Sequence, residues 1–196
     1  IDRSRGLGDV YKRQMFMNAI FIGSPLSNWD VSNVTNMAAM FYNTNISNSG
    51  VGEWDVSNVT EMGAMFGDSS SFDYLGNWDV SNVTGMSNMF NGGGVIYVEY
   101  HGFENWDVSG VTDMSYMFAN SGIRGNLENW DVSNVNNMQG MFYNANEFGM
   151  DISIDNGEQL VMDLGLWNIS NVTDMSYMFY YDAVSYTHLR AHETDR

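Results

Sequence analysis

The chain has no cysteine, so neither disulfide bonds nor thiolate chemistry operate in it. Cysteine usage therefore leaves the redox compartment open and compatible with an oxidising exterior. Basic residues are scarce and displaced: six of the seven, Arg3, Arg5, Lys12, Arg13, Arg190 and Arg196, lie in the first 14 or last 13 positions. Only Arg124 is internal. Between residues 15 and 183, 20 acidic residues face that one Arg, a charge of −19 whose field repels phosphate backbones and anionic membrane surfaces. Nucleic acid is not an expected partner. Divalent cations and basic proteins fit the charge, as does the plainer reading that it keeps the chain soluble. No run of 18 apolar residues is present and no h-region with a cleavage site precedes the patterned part, so the chain as given is expected neither to span a membrane nor to carry an export signal.

Catalytic signatures are missing too. There is no Gly-x-Ser-x-Gly elbow, no phosphate-binding glycine loop and no His-Glu-x-x-His. His101 is the single internal histidine and reads as a loop residue in a glycine-bearing insert. The many carboxylates recur with the pattern described next and do not form a pair in a dry pocket. Neither an enzyme nor a cofactor is expected.

What the chain does have is repetition. The stretch Trp-Asp-Val-Ser-Asn-Val-Thr-x-Met-x-x-Met-Phe starts at Trp29, Trp54, Trp78, Trp106, Trp130 and Trp167 with small variations. Self-similarity at this period makes each unit a supersecondary piece that buries its apolar face only against its neighbours. In Trp29-Asp30-Val31-Ser32 apolar and polar residues alternate, which predicts a short strand with Trp and Val inward and Asn28, Asp30 and Ser32 outward. Asn33 makes a turn. Met37, Met40 and Phe41 then follow at i, i+3, i+4 spacing, which predicts one helical turn, with Thr35 placed to cap it as Thr60, Thr84, Thr112 and Thr173 are in their repeats. The expected fold class is an α/β repeat solenoid with one short parallel strand and one short helical turn per repeat of about 25 residues.

Connections of 12, 11, 15, 11 and 24 residues join each Phe to the next Trp. The excess, at 91–105 and 143–166, is read as loops or extra turns projecting from one edge. Residues 15–183 form the array, with a partial unit at Met15-Phe16 and an interrupted connection at 179–183. The array is therefore expected to be a piece cut at both ends, whose uncapped units invite end-to-end self-association. The flanks 1–14 (IDRSRGLGDVYKRQ) and 184–196 (VSYTHLRAHETDR) read as non-native, adaptor-like translation of the kind that contaminates assembled environmental genes, which removes weight from the i, i+4 pair His188 and His192.

Stacked strands would align like residues: Asn28, Asp30, Ser32; Glu53, Asp55, Ser57; Asn77, Asp79, Ser81; Asn105, Asp107, Ser109; Asn129, Asp131, Ser133; and Leu166, Asn168, Ser170. This acidic face is either a cation- or partner-binding strip, or a structural column in which each Asp accepts hydrogen bonds from backbone, Ser or Asn of the next unit. The irregular stretch Asp151-Ile152-Ser153-Ile154-Asp155-Asn156-Gly157-Glu158 supplies weak metal candidates in Asp151, Asp155 and Glu158, but Gly157 falls one place late for an EF-hand loop and Met162 stands where its Glu should be. The paired methionines read as core packing and not as a Cu(I) site. Sequons at Asn33, Asn45, Asn58, Asn82, Asn168 and Asn171 arise mostly because the repeat contains Asn-Val-Thr.

The units WDVSNVTNMAAMF and WDVSGVTDMSYMF, with their companions, resemble the repeats of BspA-like leucine-rich-repeat surface proteins, also described as the DUF285 or mycoplasma-type 26-residue lipoprotein repeat, over residues 15–183. The resemblance implies a leucine-rich-repeat-like right-handed solenoid on proteins exported to the surface of bacteria and some protists. It implies a non-catalytic module, at the cell surface or secreted, for adhesion to host or neighbouring-cell surface proteins or glycans. The chain departs from the pattern at Gly110, Asn136, Asn168 and Ile169. Two other readings remain: a structural spacer that displays another domain, and a calcium-stabilised solenoid.

Overall fold

A computed structural model describes residues 14–19, 26–69, 71, 73–145 and 164–180. Within them the apolar residues of each repeat go to one core: Trp54, Val56, Val59, Met62, Met65 and Phe66 are buried, and so are their counterparts in the third, fourth and fifth repeats. The phenylalanines form a continuous column, Phe16, Phe41, Phe66, Phe90, Phe118, Phe142 and Phe179, with successive ring centroids 5.3 to 5.9 Å apart and planes within 13° of parallel. Offset stacking at this distance adds to the burial of the rings themselves.

The longest run of backbone bonds that tie repeat to repeat lies on the methionine segment. Met37 N donates to Glu61 O at 2.9 Å, Ala39 N to Gly63 O at 2.8 Å, Phe41 N to Met65 O at 3.0 Å and Asn43 N to Gly67 O at 2.7 Å. The same alternation continues down the array, and parallel bridges join Asn36, Glu61, Gly85, Asp113, Asn137 and Asp174 in succession. The intervening amides close turns: Met40 N bonds to Met37 O at 3.1 Å and Tyr42 N to Ala39 O at 3.2 Å.

This differs from the helical turn that the apolar spacing predicts. A helix spends its amides on its own carbonyls, whereas here every second amide serves the next repeat. The backbone shows the same choice, because the second x of Met-x-x-Met is left-handed in every repeat: Ala39 (φ 54), Ala64 (53), Asn88 (56), Tyr116 (54), Gly140 (57) and Tyr177 (59). Paired turns thus bring both Met and the Phe to one side with helix-like spacing. Thr is not a cap: Thr60 N and Oγ1 both donate to Thr35 O, at 2.8 and 3.1 Å, and Thr84 and Thr112 repeat the arrangement.

The Trp-Asp-Val-Ser segment alternates in burial as predicted but joins no strand. Its amides are satisfied locally, Ser57 N by the Asp55 carboxylate and Val59 N by Val56 O. The regular strands lie elsewhere, in two successive connections. Strand β1 (Gly94–Tyr97) pairs in parallel with β2 (Ser121–Arg124) of the following repeat, Gly94 opposite Ser121 and Tyr97 opposite Arg124. One helical turn α1 (Val98–His101) follows β1, and 3-10 turns occupy Val51–Glu53 and Phe103–Asn105. Of the loop and the extra turns expected for the 91–105 connection, the structure has a strand and extra turns, and these reach inward, since Ile96, Val98 and Phe103 are fully buried in the core. Most of the 143–166 connection lies outside the described residues.

Candidate interaction surface

The outward column begins with the Asp that follows each Trp. Asp30, Asp55, Asp79, Asp107 and Asp131 are exposed, as are Asn28, Glu53, Asn77, Asn105 and Asn129 beside them. Each Asp is held by the Ser two residues on. Ser Oγ donates to Asp Oδ1 at 2.6 Å in the Asp30, Asp55, Asp79 and Asp107 repeats, and Ser N donates to the same oxygen at 3.0 to 3.2 Å in these and at Asp131. The bonds come from within the repeat, which corrects the expectation that they come from the next one. Asn168 keeps the backbone half of the motif, accepting from Ser170 N at 3.2 Å.

These bonds favour the charged carboxylate. The Ser57 hydroxyl and then the Ser57 amide hold the Asp55 carboxyl below its ordinary range, as Ser109 does for Asp107 and Ser133 for Asp131. Repulsion from Asp30 raises Asp55, and repulsion from Asp131 raises Asp107, but each is the smallest of the contributions. For Asp55 and Asp107 the Ser bonds therefore outweigh the repulsion of the like-charged neighbour. Among the described residues there is no cation on the column, since Arg124 is the only Lys or Arg described and is buried.

Beside each Asp runs a second column, which sequence reading treats only as turn residues and sequons. Asn58 Nδ2 donates to Ser32 O, Asn82 to Ser57 O and Asn134 to Ser109 O, each at 2.8 Å, and Asn171 to Ser133 O at 2.6 Å. Gly110 removes that rung from the fourth repeat, where a Cβ would lie 2.8 Å from Ser81 O. The Asn of Asn-Val-Thr is thus a stacking residue.

Other positions resolve differently from their sequence reading. His101 is buried at the end of α1, stacked on Phe103 at 5.6 Å, and burial holds its pKa below the ordinary value. Asp73 accepts from Gly50 N at 2.6 Å, Val51 N at 3.2 Å and Ser49 Oγ at 3.0 Å, so it belongs to a turn. Tyr42 donates its hydroxyl to Asp68, which raises the tyrosine pKa. Sequence reading passes over Tyr74, Val95, Tyr97 and Tyr100, which are exposed in or beside the long connection; their signal is the aromatic run around Ile96 and Val98. Asp151, Asp155, Glu158, His188 and His192 lie outside the described residues. Among the described residues no three His, Asp or Glu side chains gather as metal ligands, and no helix is long and apolar enough to cross a membrane.

A family model described as Mycoplasma protein of unknown function, DUF285, matches the chain over residues 12–96, 73–164 and 97–195. The chain belongs to the DUF285 family. Membership makes it a repeat protein of surface type whose function is unassigned. No curated protein and no solved structure matches the chain.

Proposed function

We propose that this DUF285 chain is a non-catalytic module of a cell-surface or secreted protein, a right-handed solenoid that binds a protein or glycan partner through its Asp column and its irregular connections. One observation carries the reading: exposed carboxylates recur in register, each fixed by its own Ser, with no cation on that face among the described residues. A binding panel of basic proteins and surface glycans, tested on the array with a capping repeat at each end, checks it. Saturable binding that is lost on changing Asp79, Asp107 and Asp131 to Asn supports it, and binding indifferent to those changes overturns it.

A spacer role is the second reading, favoured by the consumption of the neighbouring Asn column in repeat-to-repeat bonds. An array that binds nothing while a neighbouring domain does would decide for the spacer. End-to-end association belongs to both readings, since the sixth repeat exposes Ile169 and Met175 where the fifth buries Val132 and Met138.

A further inference from the structure

Large exposed apolar side chains among the described residues fall mainly into two groups. Leu166, Ile169, Met175, Tyr177 and Tyr180 belong to the sixth repeat, beyond which no further repeat is described. Tyr74, Val95, Tyr97 and Tyr100 lie in mid-array with repeats on both sides, so stacking does not account for their exposure of 46, 45, 44 and 74%.

Local structure holds this second group in place. Alternation in β1 sends Ile96 into the core and Val95 and Tyr97 outward. The Tyr74 ring lies against Gly76 and Gly102; a Cβ at Gly102, where φ is 81°, would come within 2.6 Å of that ring. Tyr100 meets the edge of the buried His101 ring at 5.1 Å, two residues from the same glycine. Tyr74 thus meets the connection that carries β1 and α1 at Gly102, and the four side chains belong to two neighbouring connections.

This group already shows what it can hold. The Arg124 guanidinium sits 5.5 Å from the centroid of the Tyr97 ring, and Arg124 Nη1 donates to Tyr97 Oη at 3.4 Å. A planar guanidinium stacks on a tyrosine face and bonds its hydroxyl, whereas a compact ammonium is held more by charge than by shape. The surrounding array supplies a long-range field that draws cations in.

We propose that the edge formed by Tyr74, Val95, Tyr97 and Tyr100 docks an arginine-bearing segment of a partner protein, with partner guanidinium groups on the Tyr100 and Tyr74 rings as Arg124 is on Tyr97. This deepens the interaction-module reading and rests on it. It differs by placing selectivity in the insert and leaving the Asp column to supply attraction.

The test titrates the full chain with two peptides of equal length, alternating arginine–glycine and alternating lysine–glycine, at physiological salt. Three proteins are compared: the parent, Tyr100→Ala with Val95→Ala, and Asp79→Asn with Asp107→Asn and Asp131→Asn. The first variant keeps the net charge and removes only exposed side chains, and its unfolding curve should overlay the parent's. The parent should prefer the arginine peptide. The aromatic variant should bind that peptide about tenfold more weakly, approaching the lysine peptide, while the Asp variant weakens both peptides alike. A parent indifferent to Arg against Lys, or an aromatic variant that keeps the preference, overturns the docking edge. Loss of all binding only in the Asp variant overturns it too and leaves the column reading intact, whereas a parent that binds neither peptide overturns the docking edge and leaves the column reading to its own binding panel.

Discussion

Trp106 Nε1 donates to the main-chain oxygen of Leu75 at 3.0 Å, and the same oxygen accepts Trp78 N at 3.1 Å. One carbonyl therefore closes a turn in its own repeat and seats the indole of the next. Trp54, Trp78, Trp130 and Trp167 use Leu26, Val51, Phe103 and Leu127 in the same way, at 2.8 to 3.0 Å. Replacing Trp106 by Phe removes the bond and leaves part of the indole volume empty. It is expected to cost about 2 to 3 kcal/mol in chemical denaturation. Trp29→Phe, at a half-buried position, should cost less.

The left-handed backbone at the second x of Met-x-x-Met makes a prediction whose sign separates paired turns from a helix. Ala64 sits at φ 53. Ala64→Gly should be neutral or stabilising by up to about 1 kcal/mol, because a residue with a Cβ is strained there; in a helix the same change costs about 1 kcal/mol. Gly140→Ala runs the other way. Its φ is 57 and the new Cβ would lie 2.3 Å from the Tyr116 ring, so a loss of at least about 2 kcal/mol is expected in the same assay.

The Ser–Asp pairs predict a pH dependence. Asp55, Asp107, Asp131 and Asp174 have folded pKa values below the ordinary 3.8. Their contribution to stability is therefore fully present above about pH 4, and is lost as pH falls through the lower folded values. Carboxyl chemical shifts followed by NMR should show Asp107 titrating below the ordinary value in the parent, and shifting upward in Ser109→Ala. An unchanged Asp107 titration in that variant would contradict the assigned cause. His101 acts near neutrality: its pKa is lowered by burial, so stability should fall as pH drops below about 6.5, where the unfolded chain takes up the proton first.

Calcium should not change the melting temperature. The carboxylates of the column are each tied to a Ser, and no three ligating side chains converge among the described residues. Thermal unfolding in millimolar calcium against chelator is the measurement, and a large upward shift with calcium would decide for the calcium-stabilised reading.

The sixth repeat predicts association. Ile169→Lys with Met175→Lys should abolish concentration-dependent growth in sedimentation velocity while leaving unfolding nearly unchanged, because both residues are already exposed. Equal association in parent and variant would place self-association elsewhere.

Much of the core was legible in the spacing alone: Trp, both Val, both Met and Phe of the inner repeats are the residues that the structure buries. What spacing could not say was which segment carries the repeat-to-repeat ladder. Apolar residues at i, i+3, i+4 fit a helical turn and a pair of β-turns equally, and the distinguishing signal, a positive φ, sits on Ala39, Ala64 and Tyr116, residue types that do not announce it. The Asp column was legible as outward-facing; its partner was not, since a Ser two residues away and an Asn in the next unit serve a carboxylate equally well on paper. For the 91–105 insert, length alone left loops and extra turns open and could not say that Ile96, Val98 and Phe103 fill the core as regular repeat residues do.

The indole bonds span 28, 27, 31, 27 and 40 residues of chain with almost no change in length. Each repeat is thus docked on its predecessor at a fixed point that does not register how much polypeptide intervened. Connections can lengthen, acquire a strand or gain aromatic side chains without disturbing the repeats above and below them. Variation in what such a protein recognises can therefore accumulate in its detours, while the frame that carries them stays the same.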